Sequence, residues 1–204
     1  MSETRSLFSR RRILVSRLVI WPLGALLLAT RSAWDARPPW GGLLFLAGCM
    51  LVGVATIGRL WCSLYICGRK TRELVTSGPY SMTRNPLYFF SAIGAVGVGL
   101  GTETLTVPAL LMLLFAVAYP SVIFDEERKL RALHGGVYDA YVDRTPRFFP
   151  RLSARSEPES YSVNPRGFRN ALFDALWFVW LIGFLELAES AREAGLVPSL
   201  LTLY

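Results

Sequence analysis

Two clusters of polar residues, separated by a long apolar stretch, hold most of the side chains in this sequence that could do chemistry. The first cluster runs from Arg72 to Tyr88 and combines charged residues, an asparagine and tyrosines with a Gly-Pro turn. The second begins with three adjacent carboxylates, Asp125, Glu126 and Glu127. Adjacent carboxylates at the end of an apolar helix are costly beside a low-dielectric region unless cations or a ligand compensate them. Together the clusters indicate a site for a polar ligand at the ends of apolar helices.

Each cluster also has a purely structural interpretation. Asn85 followed by Pro86 is the pattern of a helix N-cap and first helical position. The three carboxylates could equally belong to a solvated helix extension at a membrane surface. The functional interpretation gains weight only if the fold brings the two clusters together.

The composition identifies an integral membrane protein. The 204 residues are 52% hydrophobic and 18% charged, whereas about a quarter of a typical soluble domain is charged. The mean hydropathy is +0.38. Five apolar segments of near-spanning length stand at residues 13–30, 40–65, 86–101, 105–124 and 171–187. The sequence therefore predicts an all-α membrane protein with about five transmembrane helices, and it excludes disordered, collagen-like and disulfide-scaffold classes.

The loop between the third and fourth segments is short enough to fix their arrangement. Only residues 101–104 separate them, so we expect an antiparallel hairpin. The hairpin would bring Asn85 and Tyr88 beside Glu126 and Glu127, forming a pocket at the ends of helices 3 and 4. The fourth helix is expected to continue beyond the membrane to about residue 133, and a short helix is expected around residues 138–141.

The basic residues set the topology. The net charge is +7, and most of the Lys and Arg residues lie before the first segment, between the second and third, and before the fifth. These basic residues lie in alternate loops, as the positive-inside rule requires of cytoplasmic loops. The rule therefore places the N-terminus in the cytoplasm and the C-terminus outside. This placement argues against nucleic-acid binding and suits a bacterial inner membrane. Arg59 is expected to reach toward the inner interface.

No metal site is predicted, because the three cysteines have no metal-ligand spacing. Four regions are expected: transmembrane helices 1 and 2 in residues 1–65, a catalytic core in 66–150, a linker in 151–170, and a final helix with its tail in 171–204.

An ordered set of short motifs over residues 65–150 resembles the isoprenylcysteine carboxyl methyltransferase family, whose superfamily includes the membrane phospholipid N-methyltransferases. The motifs are Leu74-Val75-Thr76-Ser77-Gly78-Pro79-Tyr80, then Arg84-Asn85-Pro86-Leu87-Tyr88, then Glu126-Glu127-x-x-Leu130, Gly135, Tyr138, Tyr141, Arg144 and Pro146. The resemblance implies S-adenosylmethionine as the cofactor, with a lipid-like or hydrophobic small molecule as the methyl acceptor.

The resemblance also assigns the cofactor contacts residue by residue. It implies contacts from Arg72, Glu73, Leu74, Val75, Tyr80, Asn85, Tyr88 and Glu126. Tyr65 corresponds to a further polar contact. No general base is implied, and if the acceptor needs one, Glu127 or Asp125 is the nearest candidate.

Two departures from the family concern the acceptor. Asn85 stands where the prenylcysteine enzymes have a histidine, and its amide cannot act as an acid or a base in proton transfer. Val122 stands where those enzymes have an arginine assigned to the substrate, which argues against a prenylcysteine carboxylate. Two other functions stay open: an NADPH-dependent reductase resembling the membrane sterol reductases, and a non-enzymatic membrane scaffold.

Overall fold

Apolar helices make up most of the structure, a computed structural model that describes residues 30–33, 39–68, 73–196 and 201–203. In chain order the helices are α1 (Trp40–Ile66), α2 (Pro79–Met82), α3 (Pro86–Leu100), α4 (Thr106–His134), α5 (Gly136–Arg144) and α6 (Pro165–Glu193). Helices α1, α4 and α6 are long and apolar enough to cross a membrane, and α3 is a shorter apolar helix. The predicted all-α membrane class is confirmed. The first predicted span, residues 13–30, lies outside the described residues except for Thr30, so the total of five is not tested.

The long helices expose large apolar side chains on their outer faces. Ile57 on α1, Val117 on α4 and Leu187 on α6 are each more than 60% exposed. Such faces are unfavourable in water but match the hydrocarbon of a bilayer. The outer surface of the bundle is therefore suited to lipid.

Helices α1 and α3 approach each other through glycines. A Cβ atom added to Gly48 would lie 2.6 Å from the carbonyl oxygen of Gly97 and 2.8 Å from the backbone nitrogen of Gly101. Small residues at helix contacts are a common packing device in membranes, where close backbone approach replaces the hydrophobic effect. This contact positions α3, and with it the first polar cluster.

Replacing Gly48 with Ala is therefore expected to destabilise the protein by about 1–3 kcal/mol, because the added methyl group overlaps backbone atoms that cannot move aside easily. Gly53→Ala in the same helix is the matched control, since its Cβ would meet nothing within 4 Å. Thermal unfolding in neutral detergent compares the two. Equal melting temperatures for the two variants would argue against the close contact.

A tight turn joins α3 to α4 and makes them an antiparallel hairpin. The hydroxyl of Thr102 donates to the carbonyl oxygen of Gly99 at 2.7 Å and lies 2.9 Å from the hydroxyl of Thr104. Helix α4 then runs without a break past Pro120 to His134. The hairpin and the extension of the fourth helix agree with the sequence interpretation.

The structure corrects the bounds of the last helix. Helix α6 spans Pro165–Glu193, whereas the apolar pattern predicted only residues 171–187. The predicted bounds were too short because the first and last turns are polar. Asn164 caps the helix, its side-chain oxygen accepting a hydrogen bond from the backbone nitrogen of Gly167 at 3.0 Å.

Two further features were not predicted. Strands β1 (Thr30–Ser32) and β2 (Leu201–Leu203) pair in parallel, with Thr30 opposite Leu201. The linker predicted over residues 151–170 is anchored to the bundle: Gly78 donates its backbone N–H to the carbonyl oxygen of Ser156 at 2.7 Å. The linker thus fixes the turn that carries the first polar cluster.

Candidate functional site

A cavity of about 250 Å³ opens at the polar end of the bundle, where α1 ends and α3 begins. Its walls come from α1, the loop that follows it, α2, α3, α4 and α5. The volume lies just below the roughly 300–1,000 Å³ typical of small-molecule sites. Because the α3–α4 hairpin brings both polar clusters to this end, their side chains share one cavity.

The predicted cofactor residues that the structure describes all line this cavity. They are Glu73, Leu74, Val75, Tyr80, Asn85, Tyr88 and Glu126. Arg72 lies outside the described residues. Tyr65 does not line the cavity and stacks instead on Tyr161, with ring centroids 4.4 Å apart. Residues distant in the sequence therefore converge in the manner that the motif order suggested.

A turn at Gly78 allows the first cluster to fold back onto α1. Gly78 has φ +60°, a backbone conformation that favours glycine, and a Cβ there would overlap the ring of Tyr65. Pro79 follows as the first residue of α2. This turn places Tyr80 in the cavity wall.

Glu126 is held by an aromatic pair. The hydroxyl of Tyr88 donates to a carboxylate oxygen of Glu126 at 2.7 Å. The ring of Tyr88 packs edge-on against Tyr119, with centroids 5.5 Å apart. Tyr119 also lines the cavity but was missed by the sequence interpretation. The spacing could have identified Tyr119: it lies seven residues before Glu126 on α4, and residues seven apart share a helix face.

Tyr80 presents an unpaired polar atom. Its side chain is 7% exposed, and its buried hydroxyl has no hydrogen-bond partner within the described part of the chain. Burial raises the pKa of Tyr80 well above its ordinary value, so the phenol stays protonated. A buried hydroxyl without a partner is uncommon, and the residue that carries this one lines the cavity, which makes Tyr80 a candidate contact for a polar ligand.

Glu127, one of the two candidate bases, takes part in a buried ion-pair network instead of lining the cavity. One carboxylate oxygen lies 3.4 Å from Arg84 and 3.2 Å from Arg147, while the other accepts from the Asn85 amide at 3.0 Å. The network supports a structural role for Glu127 and gives no support to its action as a base.

Asp125, the other candidate base, also lies outside the cavity wall. It forms an exposed pair with Arg128 at 3.7 Å.

Asn85 occupies the predicted N-cap position of α3, but its side chain makes no capping bond, because the amide is directed to Glu127 and to the carbonyl oxygen of Arg147.

Arg59 was expected at the interface, but it lines the cavity. Its guanidinium donates to the hydroxyl of Ser91 on α3 at 2.6 Å and lies 5.6 Å from the ring centre of Phe178 on α6. Neither partner could be predicted from the sequence, since each lies on another helix.

The cavity therefore offers two carboxylates, an amide, tyrosine side chains and two guanidinium groups. This set suits a polar ligand with hydroxyl groups and a positive centre, since carboxylates accept from hydroxyl groups and aromatic faces attract cations. Among the described residues, no group of three His, Cys, Asp or Glu side chains is placed to hold a metal ion.

Comparison with known proteins gives two kinds of match. Residues 39–136 match the phospholipid methyltransferase family. The nickel-cobalt-cadmium resistance protein NccN of Alcaligenes xylosoxydans xylosoxydans is 41% identical, with 99% of this chain and 94% of that protein covered. No solved structure matches.

A second relative covers nearly the same length. The cobalt-zinc-cadmium resistance protein CzcN of Cupriavidus metallidurans is 42% identical, with 96% of this chain and 89% of that protein covered. The matched family region contains every predicted cofactor residue that the structure describes, from Glu73 to Glu126. The chain belongs to the same family as these two resistance proteins, and it carries the phospholipid methyltransferase domain of the membrane methyltransferases that resemble isoprenylcysteine carboxyl methyltransferase.

Proposed function

We propose that this chain is a membrane methyltransferase that uses S-adenosylmethionine to methylate a lipid-like or hydrophobic acceptor. One observation carries the proposal: the predicted cofactor residues that the structure describes, spread from Glu73 to Glu126, line a single cavity. Membership of the phospholipid methyltransferase family supports the same activity.

The residues of the cavity fit the cofactor chemically. Glu126 can accept hydrogen bonds from ribose hydroxyls or from the amino group, and Tyr80, whose hydroxyl has no partner among the described residues, lines the same cavity. The faces of Tyr80 and Tyr88 can attract a positive sulfonium. When bound, S-adenosylmethionine would supply an electrophilic methyl group: the acceptor lone pair would bond to the methyl carbon in line as the carbon–sulfur bond breaks, its electron pair going to sulfur, which leaves as S-adenosylhomocysteine.

The protein's own contribution is positioning. In-line transfer needs the acceptor atom aligned with the methyl group and water kept away, both of which a cavity between packed helices provides. The exposed apolar faces of α1, α4 and α6 support entry of the acceptor from the bilayer. Neither Glu127 nor Asp125 lines the cavity, so the proposal assigns no general base.

The distribution of basic residues supports a cytoplasmic position for the polar end of the bundle. Arg84, Arg147 and Arg155 all belong to segments at this end. By the positive-inside rule, the cavity would open to the cytoplasm, where S-adenosylmethionine is made.

The names of the relatives suggest a physiological setting. Both names include cobalt and cadmium resistance, and we extend this role to the present chain as part of the proposal. Lipids extracted from cells grown with either metal ion are therefore the first place to look for the acceptor.

Ligand-dependent thermal stability tests the cofactor. Purified protein in neutral detergent is expected to melt at a higher temperature with S-adenosylhomocysteine, because a ligand that binds only the folded state stabilises it. NADPH, the cofactor of the alternative reductase, is expected to give no shift. Stabilisation by NADPH alone would move the assignment to a reductase.

A further inference from the structure

Arg59 is a charged residue well inside a membrane-spanning helix. It lies seven residues before α1 ends at Ile66, which is about 10 Å along the axis at about 1.5 Å per residue. A cation at such a depth is costly unless it is paired or opens to a polar cavity, and ionisable residues in such positions are functional candidates by default. Arg59 lines the cavity described above.

The contacts of Arg59 orient its guanidinium but give it no ion-pair partner among the described residues. The Ser91 hydroxyl that accepts from it donates in turn to the carbonyl oxygen of Leu87 at 2.7 Å. The Nε atom of Arg59 is buried with no hydrogen-bond partner, and no carboxylate in the described ranges lies within ion-pair distance. The side chain is oriented by these contacts, and its guanidinium has N–H donors beyond the one used by Ser91, which suits it to an anionic ligand.

The surroundings of Arg59 indicate which ligand supplies the anion. The carboxylate and amide that suit the cofactor, Glu126 and Asn85, stand at the polar end of the cavity. Arg59 lies deeper, where Ser91 and the ring of Phe178 belong to apolar helices. A sulfonium bound in the same cavity would repel a guanidinium that has no ion-pair partner, and an anion that is part of the acceptor would offset this repulsion.

Resting on the proposed function, we propose that Arg59 binds an anionic group of the methyl acceptor and so selects membrane amphiphiles that carry a phosphate or a carboxylate. The guanidinium of Arg59 presents several donors in a plane, which matches either oxyanion.

The test uses amphiphiles of one chain length with different head groups. Purified protein saturated with S-adenosylhomocysteine in neutral detergent is titrated with dodecyl phosphate, laurate or dodecanol, and the melting temperature is followed. At least one anionic amphiphile is expected to stabilise the wild type where dodecanol does not, and the more effective head group identifies the class. In Arg59→Met this affinity is expected to fall about tenfold or more, as for loss of a charged hydrogen bond. Arg59→Lys is expected to recover part of it.

The controls separate this proposal from the proposed function. Arg151→Met removes an exposed arginine outside the cavity wall and is expected to leave amphiphile binding unchanged. Equal stabilisation of the wild type by all three amphiphiles would overturn the role of Arg59. A comparable loss of S-adenosylhomocysteine affinity in Arg59→Met would assign the residue to the cofactor's carboxylate and also overturn it. Failure of the wild type to bind S-adenosylhomocysteine at all would instead contradict the proposed function, and titrations without it would still report on Arg59.

Discussion

Replacing Glu126 with Gln is expected to weaken binding of S-adenosylhomocysteine by about 10- to 100-fold. The amide keeps the shape of the side chain but removes the charge that accepts from ligand hydroxyls, and hydrogen bonds to charged groups contribute roughly 1.5–3 kcal/mol. The Tyr88 hydroxyl, which now donates to Glu126 at 2.7 Å, can still donate to the amide oxygen. The local packing is therefore expected to survive. Titration of the melting temperature with S-adenosylhomocysteine measures the change.

Asp125→Asn is the matched control for this substitution. Asp125 immediately precedes Glu126 on α4 and carries the same kind of charge, but it does not line the cavity and its side chain is 40% exposed. Its variant is expected to bind S-adenosylhomocysteine as the wild type does. Unchanged affinity in Glu126→Gln, in a protein that melts normally without ligand, would rule out the cofactor role of Glu126.

Replacing Glu127 with Gln is expected to lower the free energy of unfolding by roughly 3 kcal/mol. Glu127 pairs with Arg84, whose side chain is only 9% exposed, so the loss of the carboxylate leaves a buried cation without its partner. Removing one member of a buried pair costs about 3–5 kcal/mol, and the lower part of that range applies because Arg147 is 46% exposed and can turn to water. Unfolding of the purified protein in detergent, followed without ligand, measures the loss.

The exposed pair between Asp125 and Arg128 gives the comparison for Glu127. Asp125→Asn is expected to change stability by less than about 1 kcal/mol, as is usual for surface ion pairs. A Glu127→Gln protein that is as stable as the wild type, binds S-adenosylhomocysteine and yet transfers no methyl group would contradict the structural role and favour the base.

Apolar segments allowed much of the fold to be predicted. Helix α1 matches its predicted segment to within a residue, because its hydrophobic run is long and ends in polar sequence. The start of α3 follows from Asn85 and Pro86. The ends of α6 were missed because hydropathy does not report polar turns that extend a helix beyond the bilayer. The pairing of β1 with β2 joins segments near opposite ends of the chain, and no local pattern reports it.

The sequence predicted which polar clusters meet at the site, but not the separate roles of neighbouring residues within a cluster. The order of motifs and the short hairpin loop were enough to bring Asn85 and Glu126 to one cavity. Adjacent acids point in directions about 100° apart on a helix, so only the packing of α4 decides that Glu126 lines the cavity and Glu127 meets Arg84. The proposed role of Arg59 depends on its contacts with Ser91 on α3 and Phe178 on α6, which are long-range and have no local sequence pattern.

Transfer of labelled methyl groups tests the central claim most directly. Membranes from cells expressing the wild type, Asp125→Asn or Glu126→Gln are incubated with S-adenosylmethionine radiolabelled in its methyl group, and the label in the organic extract is counted. The wild type and Asp125→Asn are expected to label a lipid-soluble product well above membranes that lack the protein, and Glu126→Gln is expected to lose most of that signal. The assay is repeated with membranes from cells grown with and without cobalt or cadmium. If membranes with and without the wild-type protein are labelled equally under all of these conditions, the result would contradict a membrane methyltransferase.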